Sequence, residues 1–219
     1  MAKLLLVEDH TLFRAGIRAL LEKSDSEHTF VGEASDGRTA AKLAAELLPD
    51  IVLMDVSMPG LNGIEATHLI RKSSPDSRIV MLSMHADPAY VFAALDAGAH
   101  AYVLKDAAFG ELEAAIRSVL SDQKFLSAGL RGITRTFNRA PATGYSALNA
   151  LSTRERQILQ LIAEAYSSPE IAKKLTLRVR TIETYRQRMM DKLDLHSVAA
   201  LTAFAIKHGL TSTIAADQT

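Results

Sequence analysis

Four apolar runs in the first half of the chain end on residues that can do polar chemistry. Lys3–Val7 is followed by Glu8 and Asp9, Ile51–Met54 by Asp55, and Ala101–Leu104 by Lys105, while Arg78–Ser83 ends on Ser83 itself. Short continuous apolar runs suit strands buried on both faces of a parallel sheet. In an open parallel α/β sheet, sites form beyond the carboxyl ends of the strands, near the switch point of the strand order. If strands one and three are neighbours, as in the order 2-1-3-4-5, three carboxylates converge; left alone they repel and raise one another's pKa. A hard divalent cation removes that penalty, because Mg²⁺ takes oxygen ligands and keeps several waters.

The chemistry this suggests is phosphoryl transfer onto a carboxylate. Asp55 would be the nucleophile, with Mg²⁺ held by Asp9, Asp55 and the carbonyl of Ser57, and with Glu8 acting on bound water. Lys105 would neutralise phosphoryl oxygens and Ser83 would hydrogen-bond one of them. A lone carboxylate at a strand end is more often a helix cap or a solvated charge. Four matching strand ends in one chain carry the expectation.

The intervening segments supply the helices such a sheet needs. Thr11–Leu21 places Leu12, Ile17, Leu20 and Leu21 at helical spacing, and Thr29–Ala34 reads as a strand. Asp36 can cap an Ala-rich helix that stops at Pro49, and Asp87-Pro88 can open another as N-cap and first helical residue. Gly63–Arg71 and Ala107–Leu120 complete the set, with Gly60 and Gly63 serving the turn after Asp55. Five strands alternating with five helices predict a flavodoxin-like, doubly wound parallel α/β sheet.

From Ser121 the pattern fails, with Gly129, Gly132, Pro141 and Gly144 marking a linker that has room for a short helix near its start. After it the chain is helical. Ser152-Thr153-Arg154-Glu155 is a capping box, Ser168-Pro169 reads as a second cap pair, a third helix ends near Leu193, and His196–His208 closes at Gly209. The expected division is a domain over 1–125, a linker over 126–149, an all-α four-helix domain over 150–212, and a tail over 213–219.

Helices two and three fit a helix-turn-helix, whose second helix enters a DNA major groove. Ile182, Met189 and Leu193, with Tyr185 at the edge, would pack inward. Arg180, Glu183, Thr184, Gln187 and Arg188 would then face bases. Lys173, Lys174, Arg178, Thr181, Arg186 and Lys192 are candidates for the phosphate backbone. Mixed charge on an amphipathic helix is by itself an ordinary solvated face; the flanking helices and the local basic excess point to double-stranded DNA.

That excess is hidden by a net charge of zero over the 219 residues. Residues 1–120 carry 11 Lys and Arg against 17 Asp and Glu, net −6, whereas 151–210 carry 10 against 6, net +4. The absence of cysteine excludes disulfides and thiolate chemistry, and no apolar run approaches the ~20 residues that span a bilayer. Met-Ala-Lys enters a strand-like run without a leader pattern, so the cytoplasm is expected and no membrane partner. The histidines show no ligand spacing, and His85, two residues past Ser83, could bear on phosphoryl lifetime or simply lie at the surface.

Residues 1–120 resemble the receiver domain of bacterial two-component response regulators, through "LLLVEDH", "PDIVLMDVSMPGLNGIEA", "VMLSMH" and "AGAHAYVLKDA". The resemblance implies that a partner sensor histidine kinase phosphorylates Asp55, that Glu8 and Asp9 belong to the Mg²⁺ pocket, and that Tyr102 is an aromatic switch that follows Ser83 inward. On its own Tyr102 reads as a half-buried strand aromatic. In this family the Lys105–Asp106 peptide is often cis, which costs ~3 kcal/mol without a proline.

Residues 151–210 resemble the LuxR-type DNA-binding domain, and the combination resembles the NarL/FixJ class. Here Ala165 stands for a common Gly, Pro169 for a basic residue, Tyr185 for His, and Arg178 for a Ser that caps the recognition helix. A missing cap costs ~1 kcal/mol, which a DNA phosphate at the helix N-terminus would offset. The implied function is a non-enzymatic transcription regulator that forms a homodimer when phosphorylated, with at most slow self-hydrolysis of the phosphoaspartate. The alternative is a DNA-binding regulator independent of phosphorylation. A haloacid-dehalogenase-type phosphoaspartate enzyme is rejected, because such enzymes place a second Asp two residues after the nucleophile, where Ser57 stands.

Overall fold

The computed structural model describes residues 1–24, 28–130, 148, 150–208 and 210–211. The chain forms two compact units, Met1–Arg139 and Ala140–Thr219. In the first, strands β1 (Ala2–Val7), β2 (His28–Ala34), β3 (Ile51–Asp55), β4 (Arg78–Ser83) and β5 (Ala101–Leu104) alternate with helices α1 (Thr11–Lys23), α2 (Gly37–Leu47), α3 (Gly63–Ser73), α4 (Pro88–Asp96) and α5 (Phe109–Leu120). The sheet order is β2-β1-β3-β4-β5 with one short strand, β6 (Phe125–Leu126), added beyond β5. All neighbours run parallel.

Both sheet faces are covered, which is why the strands read as unbroken apolar runs rather than alternating ones. Leu4, Leu6, Ile51, Leu53, Val80 and Leu82 pack with Ile17, Leu21, Leu112 and Ile116. The alternating residues Leu5, Val52, Met54, Ile79 and Met81 are equally buried. Asp36 caps α2 by accepting from the N–H groups of Arg38 and Thr39, both at 2.9 Å. Asp87 caps α4 with Pro88 in its first turn, as the sequence predicts.

Three expectations are corrected in this unit. The apolar residues of α1 do not share one face: Ile17 and Leu21 are buried, but Leu12 is 87% exposed and Leu20 48% exposed. Leu12 lies five residues before Ile17, about 140° away around a 3.6-residue helix. Helix α5 begins at Phe109 rather than Ala107. Finally, the sheet does not end at five strands. Phe125 and Leu126 pair with Ala101 and Tyr102, and a 3₁₀ turn follows at Ala128–Leu130. Ser127, 1% exposed, clamps β5 from both sides of Val103. Its N–H donates to the Tyr102 carbonyl at 3.0 Å, and its Oγ accepts from the Leu104 N–H at 3.1 Å. A two-residue strand has no period to detect, so sequence pattern could not find it.

The second unit is helical: α6 (Thr153–Ala163), α7 (Ser168–Leu175), α8 (Val179–Leu193) and α9 (Val198–Lys207). Ser152 and Glu155 form the expected capping box. The cap of α7 moves back one residue to Ser167, whose N–H donates to the Glu170 carboxylate at 2.8 Å. Helix α9 starts at Val198 behind Ser197 rather than at His196, because the Ser197 Oγ accepts the Ala200 N–H and fixes the first turn there. Ile158, Leu159, Ile171, Ile182, Met189 and Leu201 meet in one core. Among the described residues no helix is long and apolar enough to cross a membrane. Gly209, the tail over 213–219 and the linker positions 131–147 and 149 lie outside the described residues.

Ala165 adopts φ +66°, a left-handed conformation that a Cβ disfavours and glycine accepts. Ala165→Gly should therefore stabilise the helical unit by up to about 1 kcal/mol in urea denaturation; destabilisation would show that the Ala165 side chain contributes packing that outweighs the strain. Ser127→Ala should cost the first unit about 1–3 kcal/mol, since it leaves the Leu104 N–H without its acceptor. An unchanged midpoint would mean water replaces the hydroxyl.

Candidate functional site

The register of the first unit brings the strand-end residues together. Leu4–Val7 pair with Ile51–Met54, so Glu8 emerges beside Asp55. Asp55 pairs with Leu82, so Ser83 follows on the next strand, and Ser83 pairs with Leu104, one residue before Lys105. Glu8 and Asp55 are buried, 0% and 1% exposed. The Lys105 ammonium bridges them, 2.8 Å from Glu8 Oε2 and 2.9 Å from Asp55 Oδ2. Its Nζ also lies over the Phe13 ring, 4.8 Å from the centroid. The Lys105–Asp106 peptide is not cis, and no described peptide bond is; the trans form, favoured by ~3 kcal/mol, already lets Lys105 reach both carboxylates.

The loops around this centre are built to keep it tight. The Ser57 N–H donates to Asp55 Oδ1 at 3.1 Å. Gly63, at the start of α3, is packed so closely that a Cβ there would sit 2.0 Å from the Asp55 carbonyl oxygen, so only glycine fits. Gly60 takes φ +78°, which glycine adopts freely. Asn62 caps α3 by accepting from the Glu65 N–H at 2.9 Å.

Burial pushes the Asp55 carboxyl up from an ordinary value of 3.8 to about 7, Glu8 pushes the same way, and Lys105 opposes both. Donor atoms of Glu8, Asp9, His10 and Asp55 all lie within 4.8 Å of one another. In this cluster three carboxylates face one ammonium, which leaves two negative charges uncompensated when all are ionised. A divalent cation cancels that excess, and a set dominated by carboxylate oxygens suits Mg²⁺. The sequence assigned no metal role to any histidine, yet His10 sits at the cluster, 3.0 Å from Asp9 Oδ1 and 3.2 Å from Glu8 Oε1. Its place directly after the acidic pair was the available signal.

Tyr102 lies inward, 0% exposed, and its hydroxyl donates to the His85 carbonyl at 2.9 Å. The His85 N–H donates to Ser83 Oγ at 3.0 Å, and the His85 ring stacks on Tyr90 at 4.3 Å. Burial raises the Tyr102 phenol well above its usual range, with a Ser83 hydrogen bond opposing. Met84 points outward, 70% exposed. Beside the acidic centre, Leu12, Phe13, Leu20, Val103, Phe109 and Leu112 line an apolar groove of about 680 Å³ that also touches His10 and Lys105. The outward turn of Leu12 and Leu20 creates it, which sequence spacing concealed.

In the helical unit, α8 buries Ile182 and Met189, with Leu193 and Tyr185 half-buried, and exposes Arg180, Glu183, Thr184, Gln187 and Arg188, as expected. Arg178, at the N-cap, makes no side-chain cap. Arg178, Arg180, Thr181, Thr184, Tyr185 and Arg188 line one concavity of about 390 Å³. Lys173 is exposed on α7. Three of the expected phosphate contacts already have partners within the domain. Lys192 is 2.8 Å from both Glu155 oxygens, Arg186 donates to Ser168 Oγ at 3.1 Å, and Lys174 lies over the Tyr166 ring at 4.3 Å. Burial alone would raise the Glu155 carboxyl, but hydrogen bonds from Lys192 and Ser152 outweigh it and hold the group below its usual range.

A doubly wound sheet with an acidic strand-end centre, in one chain with a helix-turn-helix, defines a two-domain regulator with a receiver and a DNA-binding domain, and comparison with known sequences agrees. The response regulator receiver domain family matches residues 4–117, and the LuxR family of bacterial regulatory proteins matches 149–205. The chain belongs to the two-component response regulators of the NarL/FixJ class. It is 40% identical to the response regulator UvrY of Escherichia coli K12 over 210 residues, covering 96% of each chain. It is 37% identical to GacA of Pseudomonas aeruginosa, covering 96% of this chain and 98% of that one. RcsB from Salmonella enterica serovar Typhimurium, solved bound to promoter DNA in the presence of the phosphomimetic BeF3-, superimposes with TM-score 0.57 at 28% identity, covering 94% and 98%. The protein is a response-regulator transcription factor similar to UvrY and GacA.

Because the Asp55 carboxyl binds its proton more tightly in the folded state than in the unfolded one, its ionisation opposes folding. That cost is absent below about pH 4, grows as pH rises to about 7, and stays above it. Without Mg²⁺, Asp55→Asn should raise Tm by several degrees at pH 8 and by little at pH 4. A lower Tm for the variant at pH 8 would mean that the ion pair with Lys105 outweighs burial.

Proposed function

We propose that Asp55 accepts a phosphoryl group from a phosphohistidine on a partner sensor histidine kinase, and that this controls dimerisation and DNA binding. The observation that carries the reading is the Lys105 ammonium 2.9 Å from Asp55 within a cluster of carboxylates. Asp55 attacks phosphorus through a carboxylate oxygen, the P–N bond to the kinase histidine breaks, and the new acyl phosphate stays beside Lys105. Mg²⁺, when bound, offsets the charge of the incoming phosphoryl oxygens. Asp9, Asp55 and the Ser57 carbonyl would hold it, with Glu8 acting through bound water. Lys105 and Ser83 take phosphoryl oxygens, and Ser83 draws on the His85 segment to which the Tyr102 hydroxyl is bonded.

Phosphorylation adds about two negative charges at this centre. Its release is slow self-hydrolysis, a timer rather than metabolite turnover. Residues 1–125 act as the receiver, which β6 and the Ser127 clamp extend a few residues into the expected linker over 126–149, with 150–212 as the DNA-binding domain and 213–219 as a tail. A homodimer would read half-sites about one helical turn apart, and RcsB has been solved as dimers bound to DNA. Arg180, Glu183, Thr184, Gln187 and Arg188 face bases, while Lys173, Arg178 and Thr181 contact phosphates. Lys174, Arg186 and Lys192 do so only by sharing or leaving their present partners.

Operator affinity should rise after treatment with acetyl phosphate or beryllofluoride plus Mg²⁺, and the rise should vanish in Asp55→Ala. An equal rise in that variant, or none in the wild type, would leave a phosphorylation-independent DNA binder. Arg178→Ala and Lys173→Ala should each flatten the salt dependence of log K by about 1 and weaken all sites alike, whereas Gln187→Ala should relax base preference at one position by about 1–3 kcal/mol. Uniform weakening by Gln187→Ala would remove it from base readout.

A further inference from the structure

We propose that Arg14 is a positioning residue for the acidic centre, and that its fork to Glu8 and Glu33 sets how much Mg²⁺ the site needs; this rests on the proposed phosphoryl chemistry. Only Asp9 and His10 separate Glu8 from the first residue of α1, so the backbone of this short connection aims the Asp9 carboxylate. The junction lacks the device that three of the other four helices of the unit use. Asp36, Asn62 and Asp87 cap α2, α3 and α4 with their side chains, but His10, the N-cap of α1, makes no side-chain cap.

Arg14 supplies the missing restraint. Its Nη1 donates to the Glu8 carbonyl at 2.6 Å, fixing the side of Asp9 that the helix leaves free, while on the other side the His10 carbonyl accepts the first backbone bond of α1 at 2.9 Å. The guanidinium is itself held, with Nε donating to Glu33 Oε2 at 3.2 Å, and its side chain is only 19% exposed. Glu33 is fixed in turn by Arg18, whose Nη1 donates to Oε1 at 2.5 Å. The Glu8 N–H donates to the Ala34 carbonyl at 3.0 Å, so the strand end is tied to β2 from both its N–H and its C=O sides. The chain of contacts therefore runs from β2 through Glu33 and Arg14 to the peptide that carries two of the metal-site carboxylates.

Arginine is required for geometry rather than for charge. Lysine keeps the positive charge but has no planar fork, so it can reach the Glu8 carbonyl or Glu33 but cannot hold both in a fixed plane. A charge role and a positioning role predict opposite results. Removing a nearby cation would tighten Mg²⁺ binding, whereas releasing the loop weakens it.

The test measures Mg²⁺ binding to the full chain by calorimetry, and in parallel the Mg²⁺ dependence of Asp55 phosphorylation by acetyl phosphate. Arg14→Lys, Arg14→Gln and Glu33→Ala should each raise the half-saturating Mg²⁺ by about tenfold, as loss of a ligand-orienting contact does. The rate at saturating Mg²⁺ should stay near that of the wild type, because none of these side chains touches the reacting atoms. Unchanged binding in Arg14→Lys together with tighter binding in Arg14→Gln would overturn the proposal in favour of a charge effect. A lower Tm without any shift in half-saturation would overturn it in favour of a purely structural role. If the wild type itself takes up no Mg²⁺, the reading of the acidic centre falls, and this proposal with it; normal wild-type binding with unshifted variants overturns this proposal alone.

Discussion

The receiver unit depends on one buried ammonium. Lys105 lies between Glu8 and Asp55, two carboxylates that the sheet removes almost wholly from water. Burying charge without a partner is costly, and removing one member of such a pair leaves the others uncompensated. Here one cation faces an acidic cluster, so the arrangement is only partly relieved, and the raised Asp55 carboxyl records the residue. A site in that condition favours any ligand that brings positive charge. The same shortage makes the supporting backbone matter, since the carboxylates do not cohere on their own.

Strand order is what makes this tension possible. Placing β1 between β2 and β3 puts Glu8 beside Asp55, while β4 and β5 carry Ser83 and Lys105 to the same end. The far side of the centre is tied to Tyr102 through His85, and Tyr102 shares its strand with the clamp made by Ser127. Thus the His85 segment beside Ser83 and the Ser127 clamp that follows β6 are both bonded to one four-residue strand, β5.

The helical unit solves a different problem, since its chemistry lies on the surface. Glu155 serves as both a member of the capping box of α6 and the partner of Lys192 on α8, which ties α8 to α6. The exposed N-terminal half of α8 then carries several arginines and lacks a side-chain cap. Free N–H groups and a positive helix end in such a place favour an anion.

The residue types at the strand ends, the Ser152–Glu155 capping box, the Asp36 and Asp87 caps and the inward face of α8 were all legible in sequence. Each depends on neighbours within a few positions or on a continuous apolar run, and local sterics and hydrogen bonding decide such features. The outward turn of Leu12 and Leu20, the β6 strand with Ser127, the partners of Lys174, Arg186 and Lys192, and the Glu33–Arg14–Glu8 chain were not. Most of these join residues 18 to 37 positions apart, with only Lys174–Tyr166 and Arg14–Glu8 closer, or turn on which of two helix faces the sheet covers. Spacing along the chain states which side chains could meet; only the folded sheet and helix packing decide which do, because burial and pairing are settled by distance in space.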